Sequence, residues 1–453
     1  MLQRSEQVAR LVAHIWIGSQ TVRVKIALAH VYADDNKGDL GIIQAILSGL
    51  RRRASLNGKE VEFTAISMFS QSEIDRPEPH RFLRLMVERI APAPVTQRYE
   101  EPRSIGRSLV KVATIPCAVA AMILRGLAWR MIKVPGVLGK IAPIFHSDML
   151  ICKGGSLLYC KGSIRELFFL TRMLMPLYTA SLVGKPTFIF GQSIGPFATK
   201  TSQWIFREFS GRNTHFYVRD EKSRGYLVNI GIPSERITLV PDPAFMIGQG
   251  ASYEKLPQPC SILAITALNV SREPTLQATY EAKMARVIQG FLTDHPGWKA
   301  RFIPQVIGPD RWQDDRLVQA RIASQLSAEL GSRIDLDERD LSPDELCAQY
   351  AQADLLIASR LHSSIFASVA ETPAVVLEYQ QAKAEGAFTW LGRYDDVLPW
   401  TAPEQDIRSR LDLKVKLLTS ERAYLKIRIA ELSGLLNEAI DDLFDRAAEY
   451  PKT

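Results

Sequence analysis

The order of strand and helix signals restricts this chain more than any other feature. Strand-length apolar runs occur at 24–30, 61–66, 148–152, 187–190, 215–218 and 237–240, with amphipathic stretches such as 40–53 between them. After the Pro-rich connection Lys255-Leu-Pro-Gln-Pro-Cys260 the alternation restarts, with strands at 261–266, 300–303, 333–336, 354–358 and 373–378. Helical patterns separate these strands at 280–294, 314–329, 342–353 and 363–371. Strands alternating with helices build a parallel sheet with crossover helices on its faces. At 453 residues the chain is too long for one ordinary core, so two such sheets are expected. The predicted fold is α/β, with Rossmann-like doubly wound domains over 22–254 and 260–400 and a C-terminal helical tail over 401–453. That tail, rich in Arg, Lys, Glu and Leu, is expected to pack back across the body.

Two doubly wound domains joined by a short linker form a GT-B-like plan, in which ligands bind in the cleft at the carboxyl ends of the strands. Composition narrows the setting. The five cysteines are scattered, odd in number and never in a CxxC pair, which fits a reducing compartment and neither a disulfide framework nor a zinc site. No metal or cofactor is expected. The first twenty residues lack the unbroken apolar core of a signal peptide, and no stretch is long and apolar enough to span a bilayer. A cytoplasmic enzyme is the expectation.

Net charge is +7, and its distribution says more than its total. Between Glu101 and Asp148 there is no acidic residue, but seven basic ones, Arg103, Arg107, Lys111, Arg125, Arg130, Lys133 and Lys140. They alternate with aliphatic residues and Trp129, so the insert at 102–147 reads either as an amphipathic face for an anionic membrane or as a packed helical pair with basic solvent faces. Nucleic-acid binding would place polar and stacking residues between the charges, and is not expected.

Five strand ends carry residues suited to a small anion. Asp34-Asp-Asn-Lys-Gly-Asp-Leu-Gly41 is a polar loop feeding a helix N-terminus, with Asp39 as a candidate base. Ile151-Cys-Lys-Gly-Gly-Ser places Gly154 and Gly155 where absent side chains leave room for a ligand, without a P-loop or GxGxxG pattern. Phe190-Gly-Gln-Ser-Ile-Gly-Pro196 offers Gln192 and Ser193 as donors. Tyr217-Val-Arg-Asp220 ends a strand in Arg219, with Asp220 or Asp242 as its ordinary ion-pair partner. In the second half, Ala358-Ser-Arg-Leu-His-Ser-Ser364 sets Arg360 and His362 before a helix of small residues, an anion pocket with an acid in it.

These segments, together with Asp242-Pro-Ala-Phe245 and the run SRLHSSIFAS…TPAVVLEYQQAK, resemble the polysaccharide pyruvyltransferase family over residues 24 to 400. The resemblance implies transfer of the enolpyruvyl unit of phosphoenolpyruvate to two hydroxyls of a sugar, giving a pyruvate ketal and phosphate. It implies that Arg219, Arg360 and His362 contact the donor, with Leu361 in the same contact segment and its side chain turned into the domain. His362 is the candidate acid, or equally a hydrogen-bond partner of the departing phosphate; Asp39, Asp242 and His362 itself remain open as base, and Lys383 would add charge at the phosphate. The partners implied are phosphoenolpyruvate and a sugar or lipid-linked oligosaccharide acceptor. Gly-Gly-Ser stands where many relatives carry three glycines, and the basic-apolar insert is no part of the shared pattern. Alternatives are a glycosyltransferase using a nucleotide sugar, with Glu378 on the ribose, or a non-catalytic membrane-surface scaffold of polysaccharide assembly.

Overall fold

The computed structural model describes residues 22–99, 142–249, 253–379 and 383–450. The insert expected over 102–147 therefore lies outside the described residues as far as 141.

The first half forms an eight-stranded sheet from β1 (Val22–Val31), β2 (Lys59–Phe69), β3 (Arg89–Gln97), β4 (Met149–Cys152), β5 (Gly155–Cys160), β6 (Thr187–Phe197), β7 (Thr214–Val218) and β8 (Ile237–Leu239). Its order is β3-β2-β1-β4-β6-β7-β8, with β5 paired to β6 off that path. The second half forms six strands, β9 (Ser261–Thr266), β10 (Trp298–Phe302), β11 (Ile334–Leu336), β12 (Leu355–Ala358), β13 (Ala374–Glu378) and β14 (Val397–Pro399), in the order β11-β10-β9-β12-β13-β14. Every strand pairing is parallel. In both sheets the order reverses beside the first strand, between β1 and β4 and between β9 and β12. Crevices for ligands open at such reversals.

The strands read as continuous apolar runs because both faces of each sheet are covered. Along β1, Ile26 and Leu28 enter one cluster while Ala27 and Ala29 enter another on the opposite face. Likewise Ala264 of β9 joins the first of these clusters, and Leu263 and Ile265 a third. The cluster containing Ile26 and Ala264 is continuous across both halves. It includes Leu40, Ile43 and Leu47 of α1 (Lys37–Leu56) and Ile365 and Phe366 of the helix following β12. An apolar interface of this kind resists the hinge motion expected of loosely joined domains.

The tail is one helix, Glu404–Glu449, of 46 residues. At about 1.5 Å per residue it is long enough to cross both sheets. Ile407 and Leu411 pack into the second-half core, whereas Leu432, Leu436, Ile440 and Leu443 pack into the shared cluster. Near its end Asp442 accepts a 2.6 Å hydrogen bond from Tyr217 of β7.

Three local expectations need correction. Helix α1 begins at Lys37 rather than 40, because Asn36 caps it and accepts from the Asp39 amide at 3.3 Å. Asp39 thus lies in the first turn of a helix. Gly191 to Pro196, expected as a loop, continues β6, since β5 supplies a partner that the sequence does not announce. The helix expected over 314–329 stops at Ala323 and gives way to a 3-10 turn at Ala328–Arg333.

Candidate active site

Both sheet reversals open onto one cleft of about 280 Å³. From the first half come Asn36 and Asp39 after β1, Gly155 to Leu157 after β4, and Arg219 after β7. The second half contributes Gln305, Arg360 to His362 after β12, and Glu378 and Tyr379 at the end of β13.

The halves are joined at the floor of this cleft by main chain. The Lys37 amide donates to the Gln305 carbonyl at 3.1 Å, and the Ile307 amide to the Asp35 carbonyl at 3.1 Å. Close approach of the two helix N-termini follows from a missing side chain: a Cβ on Gly38 would lie 2.3 Å from His362 Nδ1. Gly41, one turn on, meets Phe366 in the same way at 2.5 Å. Gly38 and Gly41 are the surface on which the helix α2 (Leu361–Val369) rests. The first turns of both helices line the cleft, through Asp39 in α1 and Leu361 and His362 in α2, so the positive ends of both helix dipoles lie at it.

Each arginine is braced by a buried acid of its own half. Arg219 donates from Nη1 to Asp242 at 2.5 Å and from Nε to Ser193 Oγ at 2.8 Å. Arg360 donates to Asp315 from Nη2 at 2.6 Å and from Nε at 3.2 Å, and from Nη2 also to the Gln313 carbonyl at 3.3 Å. Among the described residues Arg219 Nη2 and Arg360 Nη1 make no hydrogen bond, so each fork keeps an edge for a ligand. Asp315 also accepts the amides of Gln305 at 3.1 Å and Val306 at 2.9 Å, tying Arg360 to the segment that clasps the first half.

His362 sits between these groups. Its Nε2 lies 3.8 Å from Asp242 Oδ2, too far for a hydrogen bond, and is buried without a partner among the described residues. Burial lowers its pKa, and the positive charges of Arg219 and Lys153 add to that effect against the pull of Asp242 and Asp39. That shift favours the neutral imidazole near pH 7. Asp39 behaves oppositely. Burial alone would raise its pKa, but Lys153, through its charge and its hydrogen bond, and then Arg219 outweigh burial and hold it below the ordinary value. Lys153 is 1% exposed, and its Nζ forms an ion pair with Asp39 at 2.8 Å.

Of the residues singled out in the sequence, Asp39, Gly155, Arg219, Arg360, Leu361 and His362 meet in the cleft. Leu361 lines it rather than turning wholly into the domain, although its inner side packs on the shared cluster. Gly154 packs instead against the Gly191 carbonyl, which a Cβ would approach to 2.5 Å. Gln192 is fully buried, with neither amide atom partnered among the described residues, and does not line the cleft. Ser193 acts at one remove, accepting from Arg219 and donating to Asp220 at 2.6 Å. Lys383 is the first residue of the helix α3 (Lys383–Leu391), and its side chain lies outside what the structure describes. Asp242, open as a base, is spent on Arg219 and on the Ala244 amide at 3.0 Å, and it is 1% exposed. Glu378 accepts from the Ala384 amide at 2.9 Å, which ties one of its oxygens to the start of α3. Sequence reasoning missed Lys153 and Asp315. The only signal for Lys153 was its place immediately before Gly154 and Gly155.

The family model described as polysaccharide pyruvyl transferase matches residues 36–381. Among curated proteins, the chain is 24% identical over 452 residues to the amylovoran biosynthesis protein AmsJ of Erwinia amylovora, covering 95% of this chain and 96% of that protein. Solved structures similar in fold include a UDP-N-acetylglucosamine 2-epimerase with TM-score 0.55 and 10% identity, covering 96% of this chain and 99% of the other. UDP-GlcNAc 2-epimerase from Neisseria meningitidis bound to UDP-GlcNAc gives 0.51 and 11%, covering 93% and 99%. At such identities the likeness concerns architecture, and it agrees with two doubly wound domains facing a cleft in the GT-B-like manner.

Proposed function

The chain belongs to the polysaccharide pyruvyl transferase family and is a transferase, and from that premise we propose that its cleft takes phosphoenolpyruvate as donor. In this reading the enolpyruvyl unit passes to two hydroxyls of a sugar during surface polysaccharide biosynthesis, as the relationship to an amylovoran biosynthesis protein suggests. One observation carries the proposal: three groups able to meet anionic oxygens, Arg219 from one half and Arg360 and His362 from the other, line one cleft.

Phosphoenolpyruvate needs two anion subsites a few ångströms apart. The free edges of Arg219 and Arg360, on opposite walls, meet a carboxylate and a phosphate. Leu361 and Tyr379 face the carbon portion between them.

The reaction then follows from charge. A proton delivered to the donor's methylene carbon leaves C2 cationic, and one acceptor hydroxyl adds there. The C2–O bond to phosphate breaks, and the second hydroxyl closes the ketal. Two hydroxyl protons are released; one balances the proton now in the methyl group, and the other leaves with phosphate. His362 supplies the first proton. Burial favours its neutral form, but a multiply charged anion beside the ring favours the imidazolium, so donor binding loads the acid. Asp39 faces the cleft and its carboxyl is held below the ordinary pKa, which suits it to orient and deprotonate an acceptor hydroxyl while fixing Lys153. The reaction written this way asks for no metal or cofactor.

Incubation with phosphoenolpyruvate and a panel of free and lipid-linked sugars, reading phosphate release, tests this reading. Phosphate should appear only with a sugar present. Tight calorimetric binding of a UDP- or GDP-sugar, with none of phosphoenolpyruvate, would favour the glycosyltransferase alternative instead.

A cytoplasmic location at the inner membrane face is part of the same proposal. No helix among the described residues is long and apolar enough to cross a membrane. Any attachment would rest on the basic-apolar insert, and sedimentation with anionic vesicles should then weaken as salt rises. Sedimentation indifferent to lipid charge would remove this part of the reading.

A further inference from the structure

A second cavity, of about 360 Å³, lies against the cleft and shares Arg219 with it. The helix α3 borders both, with Ala384 on the cleft and Gly386, Thr389 and Trp390 on the second cavity. Gly386 and Asp220 face each other closely here, a Cβ on Gly386 making an ordinary van der Waals contact with Asp220 at 3.4 Å.

The chemistry of the two spaces differs. The cleft gathers cations around a small volume, whereas the second cavity pairs an indole with Leu239 and with the polar side chains of Glu221, Lys222 and Arg428. Trp390 is fixed at both ends: its Nε1 donates to the Arg219 carbonyl at 3.0 Å, and Arg428 donates to the Trp390 carbonyl at 2.8 Å. The first bond holds the edge of the half-buried ring and the second its main chain, so the indole is anchored beside the cavity. A fixed apolar plane rimmed by charged groups suits a ligand with a flat C–H face and hydroxyls at its edge.

We infer that this cavity seats a pyranose unit of the acceptor, stacked on Trp390 with its hydroxyls directed toward Arg219. The inference rests on the transferase reading above and adds the place and class of the second substrate. Donor and acceptor then meet at Arg219, each in a space matched to its charge, and the acceptor does not have to displace the anion to enter.

The test uses the full chain and saturation-transfer NMR, with methyl glucoside, methyl galactoside and methyl mannoside as probes. Calorimetry with phosphoenolpyruvate runs in parallel. At least one glycoside should receive transfer from the wild-type protein. Trp390→Ala should cut that transfer by about fivefold, the scale of one lost aromatic contact. Thr389→Arg, at an exposed position facing the cavity, should cut it similarly while leaving the core intact, which guards against a misfolded Trp390 variant. Trp390→Phe, which keeps a ring, should retain most of the signal. Phosphoenolpyruvate affinity should stay within about twofold in the Thr389 variant. Absence of transfer to any glycoside in the wild type, or transfer that survives both Trp390→Ala and Thr389→Arg, overturns the inference. Absence of phosphoenolpyruvate binding in the wild type counts against the donor assignment instead, so the two failures are separable.

Discussion

The two halves of the cleft use the same device, an arginine braced by a buried acid, but couple it differently. In the second half Arg360 and Asp315 are partners within one domain, and the rest of Asp315 holds the backbone of Gln305 and Val306. In the first half Asp242 braces Arg219 and also faces His362, which comes from the other domain. One acid thus serves a single side chain, whereas the other stands where both halves meet. Binding can be disturbed from one side alone, but the acid chemistry depends on both.

The largest expected effect breaks the shared side. Asp242→Ala leaves Arg219 without its acid and removes the nearest carboxylate to His362, so turnover should fall by about a thousandfold or more. Steady-state phosphate release checks this. Asp315→Asn should chiefly raise the donor KM, by about tenfold to a hundredfold, with a much smaller change in kcat. Equal loss of kcat in both variants would show that the halves are not coupled differently.

His362→Ala sharpens the comparison further. Turnover should fall by about a hundredfold, while donor affinity and melting temperature change little. Arg360→Ala should instead weaken donor binding as well, because the contact exists in the ground state. Arg360 is the N-cap residue of α2 and makes no side-chain capping bond, and His362 sits on the first turn behind it. Loss of melting temperature together with activity in His362→Ala would point to a structural role instead.

How much of this was legible in the sequence differs between the halves in the same way. The strands ending in Ala358 and Val218 were readable because parallel strands covered on both faces are short apolar runs with sharp ends. Arg360 and His362 stood out because both follow one such end within four positions. Lys153 and Asp315 did not, since each gains meaning only from a partner brought close by folding: Asp39, 114 residues away, and Arg360, 45 residues away. Gln192 and Ser193 were drawn toward the ligand by glycines that suggest a loop, but β5 pairs there and continues the strand. Gly38 was legible as a glycine beside a helix, but not as the space that His362 occupies.

A smaller effect concerns protons. The folded pKa of His362 is lowered, so at pH values between it and the ordinary value near 6.5 the unfolded chain binds the extra proton. Stability contributed by the neutral ring is present above that ordinary value and is lost as pH falls through the folded pKa. Donor binding should reverse the preference. Calorimetry in buffers of different ionisation enthalpy should detect proton uptake of up to about one per donor near pH 7, absent in His362→Ala.

The central claim is that the two halves jointly hold one small anionic donor. Calorimetric titration of phosphoenolpyruvate into the wild type, Arg219→Ala, Arg360→Ala and the double variant tests it most directly. Each single loss should weaken binding by about tenfold or more, and the double variant should show none measurable. Binding that depends on only one of the arginines, or that survives in the double variant, would contradict a site built from both halves.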